Sequence, residues 1–244
     1  MMATFTRPRT LKETITHYCP GCGHGIVHRL LAEVIDELGI REKTIGTAPV
    51  GCAVMMYDYI DCDMIECAHG RAPAAATGLK RVHPDKIVFT YQGDGDLAAI
   101  GTAETIHTAN RGENITVIFI NNVIYGMTGG QMAPTTMLGQ RTTTTPEGRG
   151  MHGEGGPIHV CELLRSLEGV CYLERTAVSS PSDVLATRRA IRKAFECQIA
   201  GKGFSLVEVL SMCPTDWKLS PDKAVKFVNH EMKTVFPVGV YKDK

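Results

Sequence analysis

The sequence predicts an α/β fold, a doubly wound and mostly parallel sheet, from three observations. Short β-branched runs alternate with helical repeats along most of the chain; two of those runs end in turns rich in Gly, Asp and Asn; and no linker divides the sequence. Ligands in such sheets sit beyond the carboxyl ends of the strands, where both turns fall. A chain of 244 residues can build one sizeable core, so residues 1–244 read as a single domain.

The elements follow in order. Ile26, Val27, Leu30, Leu31, Val34, Ile35 and Leu38 repeat at helical spacing, and Gly39 stops the run. Residues 87–92 form a β-branched and aromatic strand that leads into Gly93-Asp94-Gly95-Asp96. Residues 97–111 predict a helix with Ile100, Ala103, Ile106 and His107 on one face, and Gly112 is its C-cap candidate. Residues 115–120 predict the next strand, ending in Asn121-Asn122. Further on, residues 160–167 and 184–199 predict helices, and 170–175 and 204–210 strands. Between them, residues 125–158 are rich in Gly, Thr and Pro and lack periodicity. So long a segment inside a compact domain is functional or disordered. Its start directly after the second turn predicts a cofactor- or partner-covering loop.

Composition excludes several classes. Lys and Arg number 26, as do Asp and Glu, and no basic cluster stands out, which argues against nucleic acid and anionic membranes. No apolar run approaches the roughly 18–20 residues of a membrane helix. The first ten residues, MMATFTRPRT, lack the apolar core of a signal peptide, so the cytoplasm is expected. Nine cysteines are many for a reducing compartment and too odd a number for a complete disulfide framework. They suggest metal ligation, buried thiols, or both.

The two turns form one unit. A diphosphate needs a hard cation, and that cation needs oxygen donors in near-octahedral geometry. Asp94 offers a carboxylate, Asn122 a side-chain carbonyl and Ile124 a backbone carbonyl, the donor set of a Mg²⁺ ion. Gly93 and Gly95 let backbone amides approach phosphates, Asp96 completes the turn, and the helix that follows adds its dipole. A lone Gly-Asp-Gly is common turn chemistry. A strand, GDGD, helix, strand and NN, with 25 residues between Gly95 and Asn121, is far more specific. No GxxxxGK[ST] and no GxGxxG after a strand occurs, so nucleotide readings fail.

Cys19-Pro20-Gly21-Cys22 can ligate a metal or act as a redox pair, and the weak strand character of residues 14–18 favours ligation. Two further ligands are then needed. Cys161, Cys171 and Cys197 lie in apolar patterns and read as buried thiols. Cys52 and Cys213 lie in loop-like segments, while Cys62 and Cys67 are rivals on local spacing. His24 and His28 stand one turn apart on a helix and read as packing, as do His107, His152 and His159; Glu66 and Glu104 read as solvated or structural.

With both motifs in place, the chain resembles the thiamine-diphosphate-binding β subunit of the 2-oxoacid:ferredoxin oxidoreductases, of the 2-oxoisovalerate and 2-oxoglutarate type. HYCPGCGHG at 17–25, PVGCA at 49–53, HGRA at 69–72, GDGDLAAIG at 93–101, NNVIYGMTGGQ at 121–131 and SMCP at 211–214 carry the resemblance. It implies the diphosphate-domain fold, with Cys19, Cys22, Cys52 and Cys213 on one [4Fe–4S] cluster and Asp94, Asn122 and the Ile124 carbonyl on Mg²⁺. It places Gly126, Met127 and Thr128 near the thiazolium and diphosphate of thiamine diphosphate, with His69 lining the pocket, and gives Cys62 and Cys67 no ligand role.

The implied reaction is CoA-dependent oxidative decarboxylation of a 2-oxo acid to acyl-CoA and CO₂, with electrons passing through the cluster to ferredoxin. The activating glutamate and the pyrimidine-binding half of the site belong to a partner α subunit, and γ and ferredoxin-like δ subunits are expected too. Where some relatives carry a substrate-recognising lysine, three residues after the third cluster cysteine, this chain has Met55. An apolar side chain there, with Met127, suits a branched-chain acid such as 2-oxoisovalerate over 2-oxoglutarate or pyruvate. A non-redox thiamine-dependent decarboxylase or synthase subunit is the more distant reading, and it predicts a colourless protein. A metal-stapled module without enzymatic activity would gain no thermal stability from thiamine diphosphate and Mg²⁺.

Overall fold

Among the described residues, seven strands form one sheet in the order β2-β1-β3-β4-β6-β5-β7. The computed structural model describes residues 6–244, so the start of the N-terminal reading, residues 1–5, lies outside the described residues. The strands are β1 Thr44–Ala48, β2 Asp63–Glu66, β3 Ile87–Gly93, β4 Thr116–Asn121, β5 Val170–Ala177, β6 Phe204–Leu210 and β7 Gly239–Asp243. All neighbours run parallel except β5 and β7. Every position of β1, β4 and β6 is buried, as a sheet covered on both faces requires.

Helices α1 His24–Glu37 and α5 Pro181–Ile199 cover one face. Helices α2 Ala72–Val82, α3 Thr102–Asn110 and α4 Val160–Arg165 cover the other. The apolar stripe of α1 is buried as expected, with Val27, Leu31, Val34 and Ile35 fully enclosed. Ser180 starts α5 by accepting from the Asp183 amide, and Pro181 occupies the first turn, where its missing donor is not needed. Two short helices, α6 Pro214–Trp217 and α7 Pro221–Phe227, close the C-terminal part.

The helix expected over residues 97–111 is divided. Asp96–Ile100 winds as a π turn, Gly101 follows, and only Thr102–Asn110 is α-helical. Gly101 packs so closely on the 69–71 segment that a Cβ there would lie 2.8 Å from the Gly70 carbonyl. That backbone contact, rather than helix propensity, shapes the turn, and π turns of this kind recur at functional sites. The expected apolar face fails with it. Ile100 is 50% exposed, and Leu97, Ala98, Thr105, Thr108 and Ala109 are buried instead.

Strand β1 and β3 mark where chain direction across the sheet reverses, β1 leading outward to β2 and β3 inward to β4. The crevice beyond their carboxyl ends is therefore the binding position of an open α/β sheet.

Candidate functional site

The crevice holds a cavity of about 140 Å³. Its wall comes from the segment after β1 (Pro49, Val50, Gly51, Cys52, Ala53), His69, the turn after β3 (Gly93, Asp94, Gly95, Asp96) and the turn after β4 (Asn122, Ile124, Tyr125, Gly126, Met127, Thr128), with His24 beneath. Every cofactor-binding candidate is thus brought together. Met55 is not: it sits beyond Cys52 in the turn Val54–Asp58, 40% exposed and outside the cavity wall.

Asp94 is buried and takes three donors. The Gly95 amide reaches Oδ1 at 2.8 Å, while the Ile124 amide (3.2 Å) and the Thr135 hydroxyl (2.8 Å) reach Oδ2. Burial still prevails over these bonds and pushes the carboxyl up to about 7. A divalent cation beside this carboxyl would favour its ionised form. The Asn122 side-chain amide faces both the Ile124 carbonyl, at 2.7 Å, and Asp94 Oδ2, at 3.2 Å. With its nitrogen turned inward Asn122 closes the turn by donating to both; with its oxygen turned inward, three oxygens converge and no proton separates them. That second arrangement is a donor set for a hard divalent cation, and the residues fit one.

Asp96 lines the cavity but directs its oxygens into the protein. Oδ1 accepts from His69 Nδ1 (2.5 Å), the Gly70 amide (2.9 Å) and the Val50 amide (3.3 Å), and Oδ2 from Gln92 Nε2 (2.6 Å). One carboxylate thereby fixes the His69 ring and ties together three segments distant in sequence. Gly95 has a steric reason: the Tyr125 ring lies against it, and a Cβ there would come within 1.9 Å of the ring.

The cysteines gather on the far side of the same wall. A Cβ on Gly126 would lie 3.1 Å from Cys52 Sγ and 3.5 Å from Cys213 Sγ. Cys19 and Cys22 share a turn closed by the Cys22 amide on the Cys19 carbonyl (3.0 Å), immediately before α1. All nine cysteines are free. Burial raises the Cys22 and Cys213 thiols and pushes Cys52 up to about 12, with Asp216 and neighbouring cysteines adding to the effect. Such thiols give up their protons when a metal group offsets the charge. Among the described residues no three His, Cys, Asp or Glu side chains form a single-ion site. Cys52 and Cys213 lie near Gly126, and Cys19 and Cys22 share one turn, thiol donors of the kind an iron–sulfur cluster takes. Cys161, Cys171 and Cys197 are buried among apolar side chains, and Cys67 reaches only the Ala48 carbonyl (3.6 Å).

The segment from 125 to 158 has no helix or strand, but it is clipped. The Arg149 side chain, 5% exposed, donates to the carbonyls of Ala133 (3.2 Å), Pro134 (2.9 Å), Thr136 (2.5 Å), Gly155 (2.7 Å) and Gly156 (2.8 Å). Thr135 and Thr136 on that clip reach Asp94 and the Val123 carbonyl. His24 and His28 pack among Tyr18, Tyr59 and Tyr91 rather than on a surface. Sequence patterns did not single out Tyr125, Thr135 or Arg149, because nothing periodic surrounds them.

Comparison with known proteins defines the class first. Residues 49–209 match the thiamine pyrophosphate enzyme C-terminal TPP-binding domain, so this chain is a thiamine-diphosphate-binding protein. It is 50% identical over 240 residues to ketoisovalerate oxidoreductase subunit VorA of Methanothermobacter thermautotrophicus, covering 98% of this chain and 50% of that one. It is 41% identical over 199 residues to 2-oxoglutarate synthase subunit KorB of Methanocaldococcus jannaschii, covering 81% and 69%. The structure of 2-oxoglutarate:ferredoxin oxidoreductase from Magnetococcus marinus, with 2-oxoglutarate, coenzyme A and succinyl-CoA bound, aligns with a TM-score of 0.78 at 26% identity, over 100% of this chain and 86% of that chain. The chain belongs to the VorA/KorB-type subunits of the 2-oxoacid:ferredoxin oxidoreductase family. It spans about half the length of the VorA proteins it matches. Among the described residues no helix is long and apolar enough to cross a membrane.

Proposed function

We propose that the chain acts as the β subunit of a CoA-dependent 2-oxoacid:ferredoxin oxidoreductase whose first substrate is a branched 2-oxo acid, 2-oxoisovalerate. One observation carries the reading. Cys52 and Gly126 stand in the wall of the cofactor cavity, and a Cβ on Gly126 would lie 3.5 Å from Cys213 Sγ, which supports a site of oxidation adjoining the site of decarboxylation. The substrate choice is supported by 50% identity to the ketoisovalerate subunit against 41% to a 2-oxoglutarate subunit. The KorB relatives favour 2-oxoglutarate as the second reading.

In this reading Asp94, Asn122 and the Ile124 carbonyl hold Mg²⁺, while Gly93 and Gly95 admit the diphosphate. Cys19, Cys22, Cys52 and Cys213 hold a [4Fe–4S] cluster. When bound, thiamine diphosphate supplies the electron sink for loss of CO₂, and the cluster accepts electrons singly at low potential. Tyr125 and His69, the latter fixed through Nδ1 by Asp96, shape the cavity around the reacting group. Met127, 56% exposed in the cavity wall, offers an apolar contact to a branched side chain, and Met55, 40% exposed outside that wall, meets the substrate only where it protrudes beyond the cavity. The 125–158 loop, clipped by Arg149, covers the cofactor or meets a partner. An α subunit supplies the pyrimidine-binding half and the activating glutamate, with γ and ferredoxin-like δ subunits completing a cytoplasmic complex.

The test is an anaerobic panel of 2-oxo acids with the reconstituted complex, CoA and a low-potential dye. Fastest turnover on 2-oxoisovalerate supports the reading, and a preference for 2-oxoglutarate overturns the substrate choice. A colourless complex without about four irons per copy of this chain overturns the redox reading as a whole.

A further inference from the structure

One face of the sheet carries a row of polar side chains across four strands. Asn121, at the end of β4, donates through Nδ2 to Glu208 Oε1 on β6 at 2.7 Å. Glu208 Oε2 lies 2.9 Å from Arg175 Nε on β5. Arg175 forks onto Glu162 of α4 at 3.0 and 2.6 Å and donates to the Tyr241 hydroxyl of β7 at 2.5 Å. Asn121, Glu208 and Arg175 have no exposed surface. Charges so completely enclosed are no net gain in stability over apolar residues of similar size, so the row calls for another reason.

The reason lies at its inner end. Val123 stands at φ 55°, and a β-branched residue in the left-handed region is strained. At this turn the Asn122 side chain faces both Asp94 Oδ2 and the Ile124 carbonyl, and the Ile124 amide donates to Asp94. The turn is held by Asn121 Oδ1, which accepts from the Val123 amide at 3.2 Å, and by Thr136 and Gln140, which donate to the Val123 carbonyl at 2.7 and 3.2 Å. Asn121 can accept there only while its amide keeps one orientation. A carboxylate only accepts, so Glu208 fixes Nδ2 on its own side and thereby aims Oδ1 at Val123. Arg175 Nε lies 2.9 Å from the second oxygen of Glu208, an ion-pair contact without a hydrogen bond, while its other nitrogens bond to α4 and β7.

We propose that Asn121, Glu208 and Arg175 are positioning residues that hold the strained turn in its metal-binding form. The first asparagine of the pair is then an anchor and the second the donor, a division of labour that rests on the reading of this turn as a Mg²⁺–diphosphate site.

The turn carries its own reporter: Trp217, the single tryptophan of the sequence, donates to the Asn122 carbonyl at 3.1 Å. The test titrates the full chain with Mg²⁺ and thiamine diphosphate by calorimetry, with Trp217 emission read in parallel and thermal melts on each variant. Asn121→Asp sets a second carboxylate against Glu208 and is expected to weaken binding at least tenfold. Adding Glu208→Gln restores a donor and an acceptor across that contact at unchanged net charge, and is expected to return affinity to within threefold of wild type. General damage to the fold predicts no such rescue. Wild-type affinity in Asn121→Asp, or no recovery in the double variant, overturns the proposal. Should Asn121→Asp fail to fold, Asn121→Ala removes both bonds without adding charge and carries the same tenfold expectation. No heat and no emission change in the wild type would instead defeat the metal–diphosphate reading, and this proposal with it.

Discussion

The oxygen site and the sulfur site meet at Gly126, yet they are held in opposite ways. Asp94 receives three donors from the surrounding chain, and Asn122 and Ile124 already face it. The cysteines have few partners: the Cys213 thiol reaches Asp216 at 3.3 Å, and Cys19 is exposed. The first site is therefore assembled by the protein, while the second, on the proposed reading, would take its final order from a bound cluster. Ligand affinity at the oxygen site should depend on the framework, and occupancy of the sulfur site on its ligands alone.

The largest effect separating the two is expected from Asp94→Asn. Loss of the one carboxylate at the turn lowers Mg²⁺–thiamine diphosphate affinity at least about 100-fold in a calorimetric titration, the upper end of what supporting residues alone give. The ligand-free melting temperature changes little, because relief of a poorly solvated charge is offset by a hydrogen bond that the amide nitrogen cannot accept. A fall in affinity of less than tenfold would mean that the turn is not a metal site.

Cys52→Ser tests the other side. Iron in anaerobically reconstituted protein drops from about four per chain to near zero, while thiamine diphosphate affinity remains within about threefold. Simultaneous loss of both would show that the sites are not separable.

How legible each site is in the sequence follows from the same contrast. The Gly93–Asn122 unit is local, two strand ends joined by one crossover, so its spacing survives in the linear chain. The sulfur site draws on residues 19–22, 52 and 213, and local spacing left Cys62 and Cys67 as rivals until the resemblance chose among them. Asp96 looked like part of a phosphate turn, but its partners, Val50, His69, Gly70 and Gln92, come together only in the folded chain. Strands β2 and β7 are short and lie at the two edges of the sheet with half-exposed patterns, and the breakers Pro73 and Gly78 obscure α2. The sequence also carries one signal of the buried polar row. Glu208 lies within a strand buried on both faces, where a charge is rare unless it has a partner.

Gly95→Ala probes packing within the oxygen site. The added methyl meets the Tyr125 ring, so overpacking of about 1–3 kcal/mol is expected, with cofactor affinity down by about tenfold. Replacing Tyr125 by Leu in the same chain should recover most of the stability; no recovery would place the defect elsewhere.

The smallest expected effect is on acid stability beneath the sulfur site. Burial, with His24 and His17 nearby, holds His28 well below its ordinary value of 6.5, so the folded protein keeps it neutral while the unfolded chain protonates it. Its stabilising share is complete above about pH 6.5 and is lost as pH falls below that value, at up to about 1.4 kcal/mol per unit. Denaturant melts from pH 7.5 to 5 should show the decline, and His28→Gln should flatten it. An unchanged slope in that variant would assign the acid sensitivity to other groups.

The central claim is that electrons released at the oxygen site pass directly to the sulfur site across Gly126. Its most direct test is low-temperature EPR of the anaerobic complex, frozen after 2-oxoisovalerate is added without any external acceptor. The account predicts a reduced [4Fe–4S] signal that requires thiamine diphosphate and is absent in Cys52→Ser. A complex that releases CO₂ from the 2-oxo acid while its cluster stays oxidised would contradict it.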